Sequence, residues 1–234
     1  MAPPARVSEP GAPSIIAPSP PRAPGRACRE AGGEPAKSFA PSSADAASPQ
    51  SARSQSDACL AELAAAGVEA AKADAPPAGE AGCVVETPVR LKSAAVARGR
   101  IAIHGDPLVA CATARALASY LGEIAAPRQS TAGVALNGVT AAGFECRARN
   151  RAPGGKLSAH GKGLALDLVS FHFADATTTT VAAPERSAFL TGARRAACGY
   201  FTTVLGPGAD EAHRDHLHLD IEAHGASGAG RICQ

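Results

Sequence analysis

Two short stretches contain most of the residues whose types and spacing could do chemistry. The first reads SAHGKGLALD and runs from Ser158 to Asp167, and the second reads HRDHLHLD and runs from His213 to Asp220. Zinc binds imidazole nitrogen and carboxylate oxygen, and a catalytic zinc uses three protein ligands beside a water. That water becomes acidic enough to act as a nucleophile near neutral pH. The two stretches therefore favour a zinc site.

The second stretch predicts a strand with one polar and one apolar face. Side chains alternate between the two faces of a strand. The imidazoles and one carboxylate share a face and the aliphatic residues share the other: His216, His218 and Asp220 against Leu217, Leu219 and Ile221. The aliphatic face can pack in a core, which would hold the imidazoles rigidly over whatever lies opposite. His216 and the neighbouring Asp215 are both candidates for the base that accepts a proton from water.

The first stretch places a carboxylate inside an apolar strand. Residues 164–169 are apolar enough for a central strand, but Asp167 interrupts them. A buried carboxylate is costly unless it is paired or bound to a metal. His160 precedes the strand across Gly161 and Gly163, which let the backbone turn back to the same site. Two simpler interpretations stay open, namely a solvated histidine-rich edge strand and an Asp167 that pairs with an arginine.

The composition divides the chain into a tail and a domain. Eleven of the 19 prolines fall within the first 50 residues, where almost nothing could be buried. Such a segment cannot offset the entropy of ordering, so we predict a disordered tail over residues 1–56. Residues 57–234 are enough for one domain with a core of its own.

The cysteines indicate the compartment of the protein, and the charge limits its partners. One cysteine, Cys28, lies in the tail, and six lie in the domain with no CxxC pair: Cys59, Cys83, Cys111, Cys146, Cys198 and Cys233. An even set predicts up to three disulfides and an oxidising compartment, with buried free thiols as the alternative. No secretory signal is visible after Met1. The net charge is only +2 and neither the tail nor the domain has a run of Lys or Arg, which argues against a nucleic-acid partner. No apolar run is long enough for a transmembrane segment.

Local patterns predict a mixture of helices and short strands without regular βαβ alternation, which favours the α+β class. Asp57 is predicted to cap a short helix that ends before Gly67, and Asp106-Pro107 is predicted to start another. A third helix is predicted to begin at Pro184-Glu185 and to end at Gly199. Strands are predicted over residues 83–85, 89–91, 101–103 and 201–205.

From about Cys59 to Cys233 the sequence resembles the bacterial extensin-like C-terminal domain family. The resemblance lies above all in the pattern SxHxxGxAxD followed by a later HxH. That family is in turn similar to the hedgehog/DD-peptidase group, which contains D-Ala-D-Ala peptidases and murein endopeptidases. The resemblance implies a hedgehog/DD-peptidase-like fold, with a small, mainly antiparallel sheet flanked by helices.

The resemblance also implies a ligand set and candidate catalytic residues. His160, Asp167 and His218 would bind one zinc ion. His216 matches a histidine that assists catalysis in the murein endopeptidase branch, whereas Asp215 stands where the carboxypeptidase branch has a glutamate. Arg147 lies where the peptidase group has an arginine that can stabilise an oxyanion. An ordinary surface ion pair is the alternative for that arginine.

Other polar residues are given weaker roles. His213 completes an HxxHxH spacing similar to that of the murein endopeptidases, and Ser158 could orient a ligand or the substrate. We expect His104 and His224 to be solvated and His172 to be structural.

The resulting hypothesis is a periplasmic or secreted zinc-dependent hydrolase of peptide bonds in peptidoglycan. A non-catalytic zinc module that binds or supports the cell wall is the alternative. A zinc-free disulfide domain is a third interpretation.

Overall fold

The computed structural model describes residues 49–77, 79, 82–126, 134–152, 154–182 and 187–234. The described residues contain three helices, α1 Pro49–Ala65, α2 Cys111–Ile124 and α3 Ser187–Ala197. Their ten strands are β1 Val68–Lys72, β2 Pro88–Val96, β3 Gly99–His104, β4 Leu108–Ala110, β5 Leu136–Ala142, β6 Ala165–Phe173, β7 Thr178–Thr180, β8 Thr203–Leu205, β9 Leu217–Asp220 and β10 Ile232–Cys233. The class is α+β, as predicted.

The ten strands form one open, mixed sheet in the order β1-β2-β3-β5-β6-β9-β8-β10, with β4 paired to β2 and β7 paired to β6. The prediction of a small, mainly antiparallel sheet is wrong, because β3 pairs with β5 and β8 pairs with β10 in parallel. Parallel neighbours need a crossover connection. Between β3 and β5 this connection contains β4 and α2, and β5 then runs parallel to β3 at its side.

One face of the sheet packs against the helices and forms the core. The buried cluster joins apolar residues of α1, α2 and α3 to those of the central strands. A register irregularity in the pairing of β5 with β6 keeps Leu166, Leu168 and Phe171 on the helix face, all of them fully buried. The same irregularity leaves Asp167 and His172 on the opposite, polar face of β6.

Three disulfides join distant parts of the fold, as the cysteine count predicted. Cys59 is bonded to Cys111 and ties α1 to α2, while Cys198 is bonded to Cys233 and ties the end of α3 to β10. Cys83 is bonded to Cys146 and joins the loop before β2 to the loop after β5. These bonds are consistent with an oxidising extracellular compartment. No helix in the described part of the chain has the length and apolar character needed to cross a membrane.

Several predicted boundaries differ from the structure. Helix α1 begins at Pro49, so Asp57 lies inside it, and residues 49–56 are helical rather than part of a disordered tail. Residues 1–48 with Cys28, and the predicted helix start at Pro184-Glu185, lie outside the described residues.

The predicted helix start at Asp106-Pro107 is also displaced. Residues 108–110 form β4, because their backbone pairs with β2 from Pro88 to Arg90, and α2 begins only at Cys111. Residues 83–85 do not form the predicted strand; they lie in the loop before β2, where Cys83 is bonded to Cys146.

Candidate metal centre

The pairing of β6 with β9 brings two of the predicted ligands together. Asp167 lies directly opposite His218 in this antiparallel pair. Directly opposite residues point to the same face of a sheet. The flanking pairs, Leu166 with Leu219 and Leu168 with Leu217, point to the core and are buried. The core packing of the leucines therefore fixes the strands that present Asp167 and His218 to the polar face.

His160 reaches the same point from a short 3₁₀ helix, Ala159–Lys162. The side chain of Ser158 caps this helix by accepting a bond from the His160 backbone amide at 3.4 Å. Gly163 ends it in the left-handed region at φ 66°. A β-carbon at Gly163 would lie 2.5 Å from Val85 Cγ1, so both the backbone angle and the close approach require glycine.

Three potential ligand atoms converge where these elements meet. His160 Nε2 lies 3.2 Å from Asp167 Oδ1 and 3.1 Å from His218 Nδ1, and His218 Nδ1 lies 3.1 Å from Asp167 Oδ1. Atoms about 2.1 Å from one tetrahedral ion stand roughly 3.4 Å apart, which is close to this spacing. Among the described residues, this is the only group of three or more metal-ligating side chains that could hold an ion.

The outer nitrogens of both rings determine which nitrogens face the centre. His160 Nδ1 lies 2.7 Å from the carbonyl oxygen of Gly143, and His218 Nε2 lies 3.1 Å from Asp220 Oδ2. Both partners can only accept hydrogen bonds, so each outer nitrogen carries a proton and donates a hydrogen bond. The inner nitrogens of the two neutral rings then present lone pairs, alongside a carboxylate oxygen. Three acceptors without a donor can be satisfied only by a cation, so the residues fit a metal ion.

The electrostatics of the centre also favour a positive charge. Burial alone would raise the pKa of Asp167, but its bonds with His160 and His218 hold that pKa far below its usual range. Burial alone would lower the pKa of His218, but Asp167 and Asp220 outweigh it and raise the pKa to about 9. Burial alone would raise the pKa of Asp220, but the hydrogen bond from His218 outweighs it and lowers that pKa. Without a metal, the centre holds a proton instead.

His216 lies beside Asp167, one of the three potential ligands, and Asp215 contacts the other side of the His216 ring. His216 Nε2 is 3.6 Å from Asp167 Oδ1, and His216 Nδ1 is 2.9 Å from Asp215 Oδ1. The bond to His216 lowers the pKa of Asp215, which keeps that exposed carboxylate ionised. The ionised Asp215 accepts a hydrogen bond from Nδ1–H of His216. In the neutral ring, Nε2 is therefore the nitrogen with a lone pair near the centre.

His213 and Arg147 lie in the same cleft but are bound to their own partners. His213 is buried, its Nδ1 donates to Asp210 Oδ1 at 2.6 Å, and its ring centre lies 5.4 Å from those of both His216 and His218. Arg147 Nε donates to Glu145 Oε2 at 2.6 Å. The cleft has a volume of about 500 Å³, and Asp167, His216 and His218 line it together with Arg147.

A comparison with protein families identifies the family of the chain. The family described as "Extensin-like protein C-terminus" matches residues 57–234. The chain belongs to this extensin-like family. The match includes His160, Asp167 and His218, together with all six cysteines of the disulfides. No curated protein and no solved structure matches the chain.

Some site groups of this extensin-like domain were not predicted from the sequence. Strand alternation predicts that Asp220 shares a face with His218, but it does not predict the hydrogen bond between them. The shared face is the only sequence signal for that bond. The Gly143 carbonyl gave no signal, because its role depends on the loop after β5. His224 was expected to be solvated, but its Nε2 lies 2.6 Å from Thr203 Oγ1 and its side chain lines the cleft.

Proposed function

We propose that this extensin-like domain is a zinc-dependent hydrolase of peptide bonds, with peptidoglycan peptide as its substrate class. The convergence of His160, Asp167 and His218 supports the proposal, because Asp167 and His218 line a cleft together with His216. Zinc fits three nitrogen and oxygen ligands, and when bound it polarises a substrate carbonyl and lowers the pKa of a nearby water.

The side chains around the centre divide the remaining work. His160, Asp167 and His218 hold the ion. His216 accepts the proton of the attacking water at Nε2 and returns it to the leaving amine. Asp215 holds Nδ1–H and thereby fixes the lone pair on Nε2. Because only His216 of these two residues lies against the ligand set, the geometry favours it over Asp215 as the base.

We also propose that the domain has the hedgehog/DD-peptidase fold, from the order of its potential ligands, and that it is periplasmic or secreted, from its disulfides. The first two ligands lie seven positions apart, and the third lies on the antiparallel neighbour of the strand that holds the second. This order agrees with the resemblance of the two motifs to that peptidase group. The three disulfides support the location.

One observation favours a second candidate function, a non-catalytic zinc module that binds the cell wall. Arg147, the candidate oxyanion group, is bound to the carboxylate of Glu145. An arginine that stabilises an oxyanion must turn its donors to the reacting carbonyl. If Arg147 keeps its partner when substrate is bound, the cleft would bind peptide without cleaving it.

Digestion of purified peptidoglycan distinguishes the two candidates. We expect the zinc-loaded protein to release peptide fragments, and both a chelator and His218→Ala to abolish the release together with the bound zinc. His216→Ala should retain zinc but lose at least about 100-fold in rate, because it removes the base. His172→Ala is the control, since His172 lies on the same face of β6 away from the ligand set. Peptidoglycan binding without any release would support the wall-binding module instead.

A further inference from the structure

A basic turn lines the cleft beside the metal centre. Residues 147–151 read RARNR, and the three arginines Arg147, Arg149 and Arg151 all face the cleft that Asp167 and His218 line. The proposed hydrolysis assigns a role only to Arg147. Arg149 and Arg151 therefore need a separate explanation.

The cations of this turn outnumber their carboxylate partners. Glu145 is shared by Arg147 and Arg151, each at 2.6 Å. Glu222 is shared by Arg149 and Lys162. The other carboxylates of the cleft face histidines: Asp167, Asp210 and Asp220. The three arginines of the turn thus share two carboxylates, and one of these, Glu222, is also paired with Lys162 outside the cleft lining, which leaves a surplus of positive charge at the turn.

The surplus charge is accessible to a ligand. The side chains of Arg149 and Arg151 are 50% and 70% exposed. Arg151 and its partner Glu145 are both exposed, and an exposed ion pair contributes only about 0–1 kcal/mol, so an incoming carboxylate does not have to displace a strong interaction there. Half of the Arg149 side chain is open to a ligand, although its partner Glu222 is mostly buried. A guanidinium binds a carboxylate through two parallel hydrogen bonds, which gives orientation as well as affinity.

The backbone of the turn is held in an uncommon conformation. Asn150 and Arg151 both lie in the left-handed region, at φ 51° and 56°. Outside glycine this conformation costs on the order of 1–3 kcal/mol and persists where surrounding contacts hold it. Here the turn is closed by the bridge between Ala148 and Leu157, and the Arg149 amide donates to Lys156 at 2.8 Å. The two arginines are thus presented by a constrained turn.

We propose that Arg149 and Arg151 form a subsite for a carboxylate of the substrate peptide. The inference rests on the proposed hydrolase, and it narrows the substrate class to peptides that bear a free carboxylate near the bond to be cleaved. The basic turn selects and orients the peptide, and the metal centre acts on it.

The test measures binding, which does not depend on turnover. Zinc-loaded His216→Ala protein is titrated calorimetrically with a soluble cell-wall tetrapeptide in its free-acid form, and with the same peptide after its carboxylates are converted to amides. We expect the free acid to bind at least about tenfold more tightly, as charge-assisted hydrogen bonds imply. Arg149→Gln combined with Arg151→Gln should abolish the preference and retain the zinc. The single variant Arg151→Gln, at the more exposed of the two arginines, should reduce the preference for the free acid.

Arg90→Gln is the matched control, because Arg90 and Lys92 share Asp106 outside the cleft as Arg149 and Lys162 share Glu222. It should keep the preference. A preference that persists in the double variant, or no measurable binding of either peptide, would overturn the subsite. Hydrolysis by the otherwise unchanged protein is measured separately. No hydrolysis together with a preference that depends on the arginines would refute the hydrolase and leave the subsite standing.

Discussion

Single residues around the metal centre act through the rings that they hold. Asp220 is 5% exposed and accepts from His218 Nε2, while its other oxygen accepts the Glu222 backbone amide at 2.9 Å. Gly143 holds His160 in the same way through its carbonyl. These two acceptors select the ring nitrogens that face the candidate metal position, and neither belongs to the three potential ligands.

We therefore predict that Asp220→Ala weakens zinc binding by about 10–100-fold, because His218 loses the acceptor that fixes its tautomer. Asp220→Asn keeps an oxygen acceptor of nearly the same shape and should lose less. The measurement is competition for zinc against a chromogenic chelator. Unchanged affinity in Asp220→Ala would mean that the ring is oriented by its packing alone.

The raised pKa of His218 predicts how pH acts on the centre. In the metal-free protein the pKa is about 9, above the usual 6.5, so protonated His218 stabilises the fold fully below pH 6.5. That contribution is lost as pH rises through about 9. Zinc must displace the same proton, so its apparent affinity should rise about tenfold per pH unit between 6.5 and 9. A zinc affinity that stays level over this range would contradict the prediction.

At the scale of elements, local patterns predicted the strands of the site better than their partners. Alternation predicted which residues of β9 enter the core, and the interrupted apolar run predicted Asp167 on β6. The position of Asp167 opposite His218 depends on register, which neither strand specifies alone. Likewise β4 is a strand because β2 pairs with it, although its own sequence favours a helix start. Tertiary pairing decided both features.

The short helix that presents His160 should be sensitive to the residue that ends it. Gly163→Ala places a β-carbon 2.5 Å from Val85 Cγ1 and 2.8 Å from the Ala110 amide nitrogen, at a positive φ. We expect a loss of about 2 kcal/mol or more in the free energy of unfolding, together with weaker zinc binding. Gly225→Ala is the matched control, since Gly225 has φ 72° but nothing within 4 Å of that position. Equal losses in denaturant unfolding would show that only backbone strain matters.

The disulfide next to this helix should also affect the centre. A β-carbon on Gly161 would lie 2.8 Å from Cys83 Sγ, so the bond from Cys83 to Cys146 packs against the helix that holds His160. Replacing both cysteines by serine should cost about 2–5 kcal/mol of stability and weaken zinc binding. The same change at Cys198 and Cys233 should cost similar stability and leave zinc affinity unchanged. Equal zinc affinities in the two double variants would contradict a role for the first disulfide.

At the scale of the whole molecule, the proposed metal binding would be linked to folding. A ligand that binds only the folded state stabilises it by about 2.7 kcal/mol at one hundred times its Kd. For a domain of this size we expect the melting temperature to rise by roughly 5–10 °C with zinc and to fall again with a chelator. His218→Ala should show no such rise. Equal melting curves with zinc and with chelator, measured on the otherwise unchanged protein, would argue against the centre.

The pairing of β6 with β9 has a further consequence for the order of events during folding. Asp167 and His218 are 51 positions apart, and β7, α3 and β8 are formed by the chain between them. The ligand set is therefore incomplete until this excursion has returned to the sheet beside β6. Zinc bound by all three ligands would then stabilise this pairing after it has formed, rather than start it. The rate of metal capture would report how fast β9 pairs with β6.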